Sequence, residues 1–301
     1  MIKTIVSTEL PVNERYLIRK NIISNGEGKK RICIVTGTHG DELEGQMVCY
    51  LMARLLNEQQ ENLDGTVEIY PALNPLGIDT IQRGIPNFDL DMNRIFPGDK
   101  NGTMAEQAAY SIIEDLKGAD LVIDVHSSNL YLRETPQVRI NVLNEKELVP
   151  LAQEMGVDFV WVHDAATVLE ATLAHSLNST GTKCLVVEMG VGERINHSMC
   201  FRLRDGILHL MWKGEAPADH LADSIVCKGN KVEFLNAETS GIFITELKCG
   251  FMVEKSQEIG QIVEPLTGKI LSRVISPVDG YLFTIRAYPI VYEGSLMARI
   301  Y

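Results

Sequence analysis

Between residues 31 and about 213, short runs of apolar, β-prone residues alternate with stretches whose apolar residues recur at helical spacing. The β-prone runs lie at 32–35, 66–72, 121–125, 138–143, 158–162 and 183–187. The stretch after the first run is predicted to be a helix, because Leu43, Met47 and Leu51 would share one face. Strands joined through helices make right-handed crossovers, so this order predicts an α/β fold with a mixed, mainly parallel sheet flanked by helices.

The composition changes after Trp212. Residues 213–219 are predicted to be a linker, and from Val226 onward short alternating runs are separated by spaced glycines. That pattern is typical of a small all-β domain. A chain of 301 residues also exceeds the usual size of one hydrophobic core. We therefore predict two domains, residues 1–213 and residues 214–301.

Charge and cysteine usage exclude several classes of protein. The formal net charge of −12 argues against a nucleic-acid partner, because contact with phosphates needs a basic surface. No apolar run is long enough to span a membrane, and the first residues lack the apolar core of a signal peptide. Six cysteines are scattered without a Cys-x-x-Cys pair, which is typical of reduced thiols in the cytosol. The sequence therefore predicts a cytoplasmic protein with neither a nucleic-acid nor a membrane partner.

Three of the predicted strands end in polar residues that are suited to a metal site. Thr-His-Gly-Asp-Glu at 38–42 follows the first, Asp-Val-His at 124–126 ends another, and Val-Val-Glu-Met-Gly at 186–190 ends a third. Open α/β sheets bind ligands at the carboxyl ends of their strands. His39, Glu42 and His126 would bind one Zn²⁺ per chain and leave its fourth position open for water.

Glu188 is the predicted general base. Burying a carboxylate at the end of an apolar strand costs free energy, so its presence there favours a chemical role. Zinc lowers the pKa of a bound water to about 7 and polarises a carbonyl, and a nearby carboxylate then passes the proton to the leaving nitrogen. Asp124 precedes His126 by two residues on one strand, so it is a candidate for orienting that imidazole. Asp41 is a second candidate for orienting a histidine.

Residues 73–102 interrupt the alternation with several prolines, glycines and asparagines. A loop of this length inside a compact domain is usually functional. Arg83, Asn93 and Arg94 lie in it. Arginine forks bind carboxylates with two hydrogen bonds, and an asparagine amide donates to a carbonyl or an oxyanion. In so acidic a chain, arginines focused on one cleft predict a small anionic substrate.

Each of these residues also has an ordinary structural explanation. A single His-x-x-Glu pair often arises by chance, and His126 alone is consistent with a hydrogen-bonded histidine at a strand end. Glu188 could stand at a helix start, where the helix dipole stabilises a carboxylate, and Arg94 could stand in a salt bridge. For His163, at the end of another strand, a structural or solvated role is favoured. The metal site is favoured because all of its members occur together.

Four longer sequence motifs extend this pattern. Gly-Thr-His-Gly-Asp-Glu, Asp-Met-Asn-Arg-Ile-Phe-Pro-Gly, Asp-Val-His and Val-Glu-Met-Gly occur in this order between residues 31 and 213. In this ordered set the chain resembles the succinylglutamate desuccinylase/aspartoacylase family of the zinc carboxypeptidase superfamily. The resemblance implies a zinc carboxypeptidase-like fold, and an all-β barrel-sandwich-like domain over residues 226–301 that narrows access to the cleft. It also implies a small N-acylated substrate and a homodimer.

The resemblance assigns a role to each candidate residue. The family holds its zinc with two histidines and a glutamate, which correspond to His39, Glu42 and His126. The general base of the family corresponds to Glu188. Its Asn-Arg pair, which contacts the substrate, corresponds to Asn93 and Arg94, and its arginine that polarises the scissile carbonyl corresponds to Arg83.

The chain departs from aspartoacylase proper at two places. In aspartoacylase, an arginine that lies shortly before the catalytic glutamate in the sequence binds the carboxylate of the substrate. The corresponding region of this chain is Asn178-Ser179-Thr180. A tyrosine from the carboxyl-terminal domain has no clear counterpart, although Tyr288 and Tyr292 are nearby candidates. The departures affect the identity of the substrate and leave the metal ligands intact.

Three functions fit these residues. The leading hypothesis is a zinc-dependent deacylase that cleaves the amide bond of a small N-acyl amino acid or a related carboxylate. The second is a metallocarboxypeptidase acting on peptides or cell-wall fragments, because the same ligands serve that chemistry. The third is a non-catalytic ligand-binding protein on a relic hydrolase fold. Serine catalysis is disfavoured, since the chain has no Gly-x-Ser-x-Gly elbow.

Overall fold

The computed structural model describes residues 1–26, 30–86, 88–164, 170–212, 221–229 and 231–301. The predicted linker at 213–219, and with it the predicted boundary between the domains, lies outside these residues. Within the described residues the chain forms two sheets and six α-helices. The helices are α1 (Glu44–Glu58), α2 (Pro75–Thr80), α3 (Met104–Leu116), α4 (Glu145–Glu154), α5 (Leu173–Asn178) and α6 (His197–Met211).

The strands fall into two groups along the chain. The first group is β1 (Ile2–Glu9), β2 (Arg15–Ser24), β3 (Arg31–Thr36), β4 (Thr66–Tyr70), β5 (Leu121–Ser127), β6 (Leu132–Asn141), β7 (Phe159–His163) and β8 (Cys184–Gly190). The second is β9 (Ile225–Lys228), β10 (Glu233–Asn236), β11 (Gly241–Ile244), β12 (Phe251–Val253), β13 (Glu258–Glu264), β14 (Lys269–Ile275), β15 (Gly280–Arg286), β16 (Ile290–Val291) and β17 (Leu296–Ile300). The strands predicted from the alternation correspond to β3–β8, whereas β1 and β2 precede it and are additional.

The larger sheet is mixed. Its central strands β4, β3, β5 and β8 are parallel neighbours in that order. The predicted α/β class is confirmed, but the sheet as a whole is not mainly parallel. Among its described strands, seven pairs are antiparallel and five are parallel. The reason is that the crossover rule applies only to strands joined through a helix, whereas antiparallel neighbours such as β2 and β4, or β6 and β15, do not follow one another through a helix.

Helices cover both faces of the central strands. On one face α1, α4 and α6 pack against apolar residues of the sheet such as Ile123. On the other face α3 and α5 pack against residues such as Val122. Because successive residues of a strand point to opposite faces, Asp124 and His126 lie on the same side as Val122. The polar end of β5 is therefore directed to the side covered by α3 and α5.

The carboxyl-terminal strands form their own core and also extend the larger sheet. β14, β13, β11 and β16 make a separate four-stranded sheet in that order. β15 is hydrogen-bonded to β6 and is followed by β17 and β10, while β9 pairs with β7. Phe159 of β7 stacks on Phe283 of β15 with ring centroids 4.2 Å apart. Strands on both sides of the predicted boundary thus share one sheet, and a division into two domains stays a prediction.

All six cysteines are buried and none forms a disulfide, which fits the reduced thiols predicted from the sequence. Among the described residues, no helix has both the length and the apolar character needed to cross a membrane.

A buried ion-pair network joins β2 to β4 and α3. Lys20 Nζ lies 2.8 Å from Glu68 Oε2 and 2.7 Å from Asp115 Oδ2. Arg31 Nη2 also lies 2.7 Å from Glu68 Oε2. Burial opposes ionisation of Glu68, but hydrogen bonds from Arg31, Lys20 and Tyr70 lower the pKa of its carboxyl to about 2. Glu68 is therefore charged at neutral pH and is stabilised by the cations around it.

Replacing Lys20 by methionine is expected to lower the free energy of unfolding by about 3–5 kcal/mol, because it leaves two carboxylates without their shared cation in a buried position. Urea unfolding at pH 7 measures the loss. Lys3→Met is the matched control, since Lys3 pairs with the same Asp115 at 3.7 Å from an exposed position and should contribute less than about 1 kcal/mol. Equal losses in the two variants would contradict the importance of the buried network.

Candidate active site

The polar ends of three strands meet at the carboxyl edge of the sheet. His39 and Glu42 lie in the turn between β3 and α1, and His126 lies near the end of β5. Parallel pairing of β5 with β8 puts His126 in register with Glu188. Side chains in register on parallel strands point to the same face, so Glu188 faces this group from the neighbouring strand. This is the edge at which the sequence predicts a site.

The three predicted metal ligands converge. His39 Nδ1 lies 2.8 Å from Glu42 Oε1, and His126 Nδ1 lies 3.0 Å from Glu42 Oε2. One ligand atom from each residue lies within 4.8 Å of the other two, and all three residues are buried. The Ser127 N–H also donates to Glu42 Oε2 at 3.0 Å. We call His39, Glu42 and His126 the ligand cluster.

An aspartate stands behind each histidine. His39 Nε2 lies 3.0 Å from Asp91 Oδ1, and His126 Nε2 lies 3.1 Å from Asp124 Oδ2. Both Nδ1 atoms therefore face the shared centre while both Nε2 atoms face carboxylates, which is how histidines that bind metals are usually oriented. Asp124 has the position that the sequence indicates. Asp91 is an addition, and Asp41 Oδ1 has no hydrogen-bond partner among the described residues.

The electrostatics of the ligand cluster favour a cation at its centre. Burial alone would raise the pKa of Glu42, but the imidazoles of His126 and His39 outweigh it and hold this pKa well below its usual range. Burial would lower the pKa of His126, yet Asp124 and Glu42 raise it well above the usual value. Carboxylates that hold protons on two imidazoles also favour a divalent cation between them. The nitrogen and oxygen donors present fit zinc.

Residues 73–102 pack directly on the turn that carries His39. The Gly40 N–H donates to the Gln82 carbonyl at 3.0 Å. A Cβ at Gly40 would overlap the backbone of Gly77, so only glycine permits this approach. Gly77 lies in α2, where its N–H donates to Asn74 Oδ1 at 3.0 Å and caps the helix. The segment that the sequence marks as a functional loop is thus fixed against the ligand cluster.

The same segment brings Arg83, Asn93 and Arg94 to the cavity beside the cluster. Arg83 Nη1 lies 3.1 Å from Glu42 Oε1, and its Nη2 lies 3.4 Å from Asp91 Oδ2. Arg94 Nη1 donates to the carbonyl of Asn93 at 2.7 Å. All three predicted residues reach the site, and their roles toward a substrate stay predictions.

Glu188 faces the same cavity. Burial raises the pKa of its carboxyl to about 7, and Arg139 opposes this increase while the nearby Glu134 carboxylate adds to it. Arg139 Nη1 lies 3.4 Å from Glu188 Oε1. A carboxyl with a pKa near neutrality is suited to accept a proton and later to donate it. The geometry therefore permits the role of general base.

The cavity has a volume of about 440 Å³ and is lined by several residues that sequence reasoning missed. Five of them carry charged or aromatic side chains: Glu134, Arg139, Trp161, His175 and Arg299. A charged residue within an apolar strand is a signal that could have indicated Arg139, whereas no signal near residue 299 indicates a site. His163, for which a structural or solvated role is favoured from the sequence, lines the cavity as well.

The two departures from aspartoacylase also have a structural counterpart. Asn178 lines the cavity, but its Nδ2 donates to the Cys184 carbonyl at 3.1 Å and its Oδ1 accepts from the Cys184 N–H at 2.8 Å. Its amide is therefore used within the fold and supplies no positive charge. Tyr288 packs edge-on against Tyr131, and neither Tyr288 nor Tyr292 is among the described residues that line the cavity.

Fold and site together define an α/β protein with a buried cluster of two histidines and one carboxylate beside a cavity. Residues 28–212 match the model of the succinylglutamate desuccinylase/aspartoacylase catalytic domain. The chain belongs to this family, which confirms the resemblance carried by its motifs. A curated relative, the N-alpha-acetyl-L-2,4-diaminobutyric acid deacetylase of Halomonas elongata, is 30% identical over 132 residues. That match covers 44% of this chain and 38% of the relative.

Solved structures resemble the chain over nearly its whole length. A succinylglutamate desuccinylase/aspartoacylase from Rhodobacter sphaeroides has a TM-score of 0.81 at 22% identity, covering 99% of this chain and 95% of that one. The product-bound ectoine utilization protein EutE (DoeB) from Ruegeria pomeroyi has a TM-score of 0.81 at 20% identity, covering 98% and 92%. These similarities show a shared fold that includes the carboxyl-terminal strands.

Proposed function

We propose that the protein is a zinc-dependent hydrolase that cleaves the amide bond of a small N-acylated amino acid or a related carboxylate. The observation that carries the proposal is the ligand cluster of His39, Glu42 and His126 beside a partly buried Glu188 in one cavity. Zinc held there would supply a Lewis acid that polarises a carbonyl and makes water more acidic. Membership of the family and the name of the Halomonas elongata relative support an N-acyl substrate.

Glu188 moves the proton in this proposal. Its carboxylate accepts a proton from the water that attacks the acyl carbon, and the resulting carboxylic acid donates that proton to the leaving nitrogen. Both transfers need a group whose two protonation states are similar in free energy at neutral pH. The pKa of about 7 that burial gives Glu188 meets this need.

The arginines beside the cluster stabilise negative charge on the substrate in this proposal. Arg83, which lies 3.1 Å from Glu42, would stabilise the negative charge that develops on the acyl oxygen. Arg94, next to Asn93 in the same segment, would bind a carboxylate of the substrate while Asn93 contributes a hydrogen bond. A substrate with at least one carboxylate is therefore the expected class.

A panel of substrates assayed with zinc-loaded protein tests the proposal. N-acetyl and N-succinyl amino acids, together with acetylated diamino acids, are compared with peptides that end in a free carboxylate. Hydrolysis of the N-acyl compounds is expected. Hydrolysis of peptides alone would favour the metallocarboxypeptidase, and binding of these compounds without turnover would favour the non-catalytic alternative.

The pH dependence gives a second test. Because the base is the deprotonated form of Glu188, kcat/KM is expected to rise about tenfold per pH unit below pH 7 and to level off above it. The profile is recorded from pH 5 to 9, with metal content checked at each pH because protons compete with metal for the histidines. A profile that is flat across this range at constant metal content would contradict a base with this pKa.

A further inference from the structure

A series of charged contacts runs from the strand nearest the carboxyl terminus to Glu188. Arg299 Nη1 of β17 donates to Glu134 Oε1 at 2.5 Å. Arg139 Nη2 donates to both carboxylate oxygens of Glu134, at 2.9 and 2.8 Å. Arg139 Nη1 then lies 3.4 Å from Glu188 Oε1. Residues of three strands, β17, β6 and β8, thus form one connected set, which we call the arginine relay.

The middle of the arginine relay is held firmly. The Glu134 side chain is only 1% exposed, and Thr284 Oγ1 donates to it at 3.3 Å. Trp161 lies beside both cations, with the Cζ atoms of Arg139 and Arg299 5.8 and 5.6 Å from its ring centroid. Both distances are within the range of cation–π attraction. These contacts hold the Arg139 guanidinium through its two Nη atoms, while its Nε has no hydrogen-bond partner among the described residues.

The charges of the arginine relay do not cancel without Glu188. Arg139 and Arg299 carry two positive charges and share the one carboxylate of Glu134. Glu188 is the acidic group that lies at the free side of Arg139. Both arginines also line the cavity that contains Glu188.

We infer that Arg139 is a positioning residue that holds the Glu188 carboxylate in place for proton transfer, and that Glu134 and Arg299 in turn hold Arg139. The inference rests on the role that the proposed function gives to Glu188. It makes β17, which is remote in sequence from the ligand cluster, a part of the catalytic apparatus.

Steady-state kinetics test this role. Arg139→Met is expected to lower kcat by about 10- to 100-fold while KM changes little, because a misplaced base affects the transition state and not substrate binding. Arg139→Lys should recover part of the loss, since it keeps the charge. Arg299→Met should show a smaller loss of kcat. An increase in KM with unchanged kcat would overturn the inference, because Arg139 would then bind substrate.

Arg202→Met is the matched control. Arg202 forms an ion pair with Asp158, and neither residue is among the described residues that line the cavity. Its loss is expected to lower stability and to leave kcat unchanged. If Arg202→Met lowers kcat as much as Arg139→Met does, the effect is one of general stability and the inference is wrong.

Unfolding measurements test the contact without any substrate. The free energies of unfolding of Arg139→Met, Glu188→Gln and the double variant, measured at pH 9 where Glu188 is ionised, are expected to be non-additive. The changes in unfolding free energy caused by Arg202→Met and Glu188→Gln should be additive. Additivity of the first pair would overturn the inference. If Glu188→Gln loses activity and Arg139→Met does not, the inference about Arg139 is wrong but the proposed function stands. If Glu188→Gln keeps full activity, both the inference and the proposed role of Glu188 are wrong.

Discussion

Glu188→Gln is expected to lower kcat by about two to four orders of magnitude while the protein keeps its metal. The amide has nearly the shape of the carboxyl group but accepts no proton, so the attack of water loses its base. Glu188 lies on β8 in register with His126 and is not one of the converging ligands. Turnover is measured with the substrate found in the panel, and metal content by elemental analysis.

Glu44→Gln controls for the burial of a carboxyl group. Burial raises the pKa of Glu44 to about 7 as well, but Glu44 is not among the described residues that line the cavity. This variant should keep most of the activity. Undiminished turnover in Glu188→Gln would remove Glu188 from the mechanism, and equal losses in both variants would mean that burial and not position matters.

His126→Ala is expected to reduce bound zinc from the proposed one per chain to a small fraction and to abolish the proposed hydrolysis. The change removes one of three converging donors and leaves Glu42 without the imidazole that faces its Oε2 at 3.0 Å. Asp124→Asn should have a smaller effect, with metal affinity lowered about 10- to 100-fold, because the aspartate only orients the ligand. Metal content after dialysis against a weak chelator measures both.

His163→Ala is the control for the loss of an imidazole from the cavity. His163 lines the cavity but is not a member of the converging group. The His163→Ala variant should therefore retain zinc. Retention of a full equivalent of zinc in His126→Ala would show that the ion binds elsewhere.

The sequence predicts the ligand cluster well because parallel strands bring their carboxyl ends together. If β3, β5 and β8 are parallel strands of one sheet, the polar residues at their carboxyl ends lie at one edge, and the structure has these three strands as neighbours. Prolines, glycines and asparagines indicate the loop at residues 73–102, and the motif in it that contains Asn93 also contains Asp91, whose Oδ1 lies 3.0 Å from His39 Nε2. Local patterns were thus sufficient where a residue and its partners follow from strand order.

The arginine relay lay beyond that reasoning. Arg299 reaches the cavity because β17 pairs with the nearby β15, and β15 pairs with β6, which lies in a distant part of the chain. Periodicity assigns residues to strands, but it does not specify which distant strand is the neighbour. The same limit explains the mixed sheet, since β1 and β2 extend the central strands through pairings that the strand–helix alternation does not include.

The pairing of β6 has a consequence for the newly made chain. At Leu132–Glu134 one edge of β6 is covered by β15, which is synthesised more than a hundred residues later along the chain. Until β15 leaves the ribosome, this end of β6, close to the proposed metal site, has unpaired N–H and C=O groups, and such open edges associate with other chains. A translation product truncated after α6 would carry every metal ligand and yet be prone to aggregate.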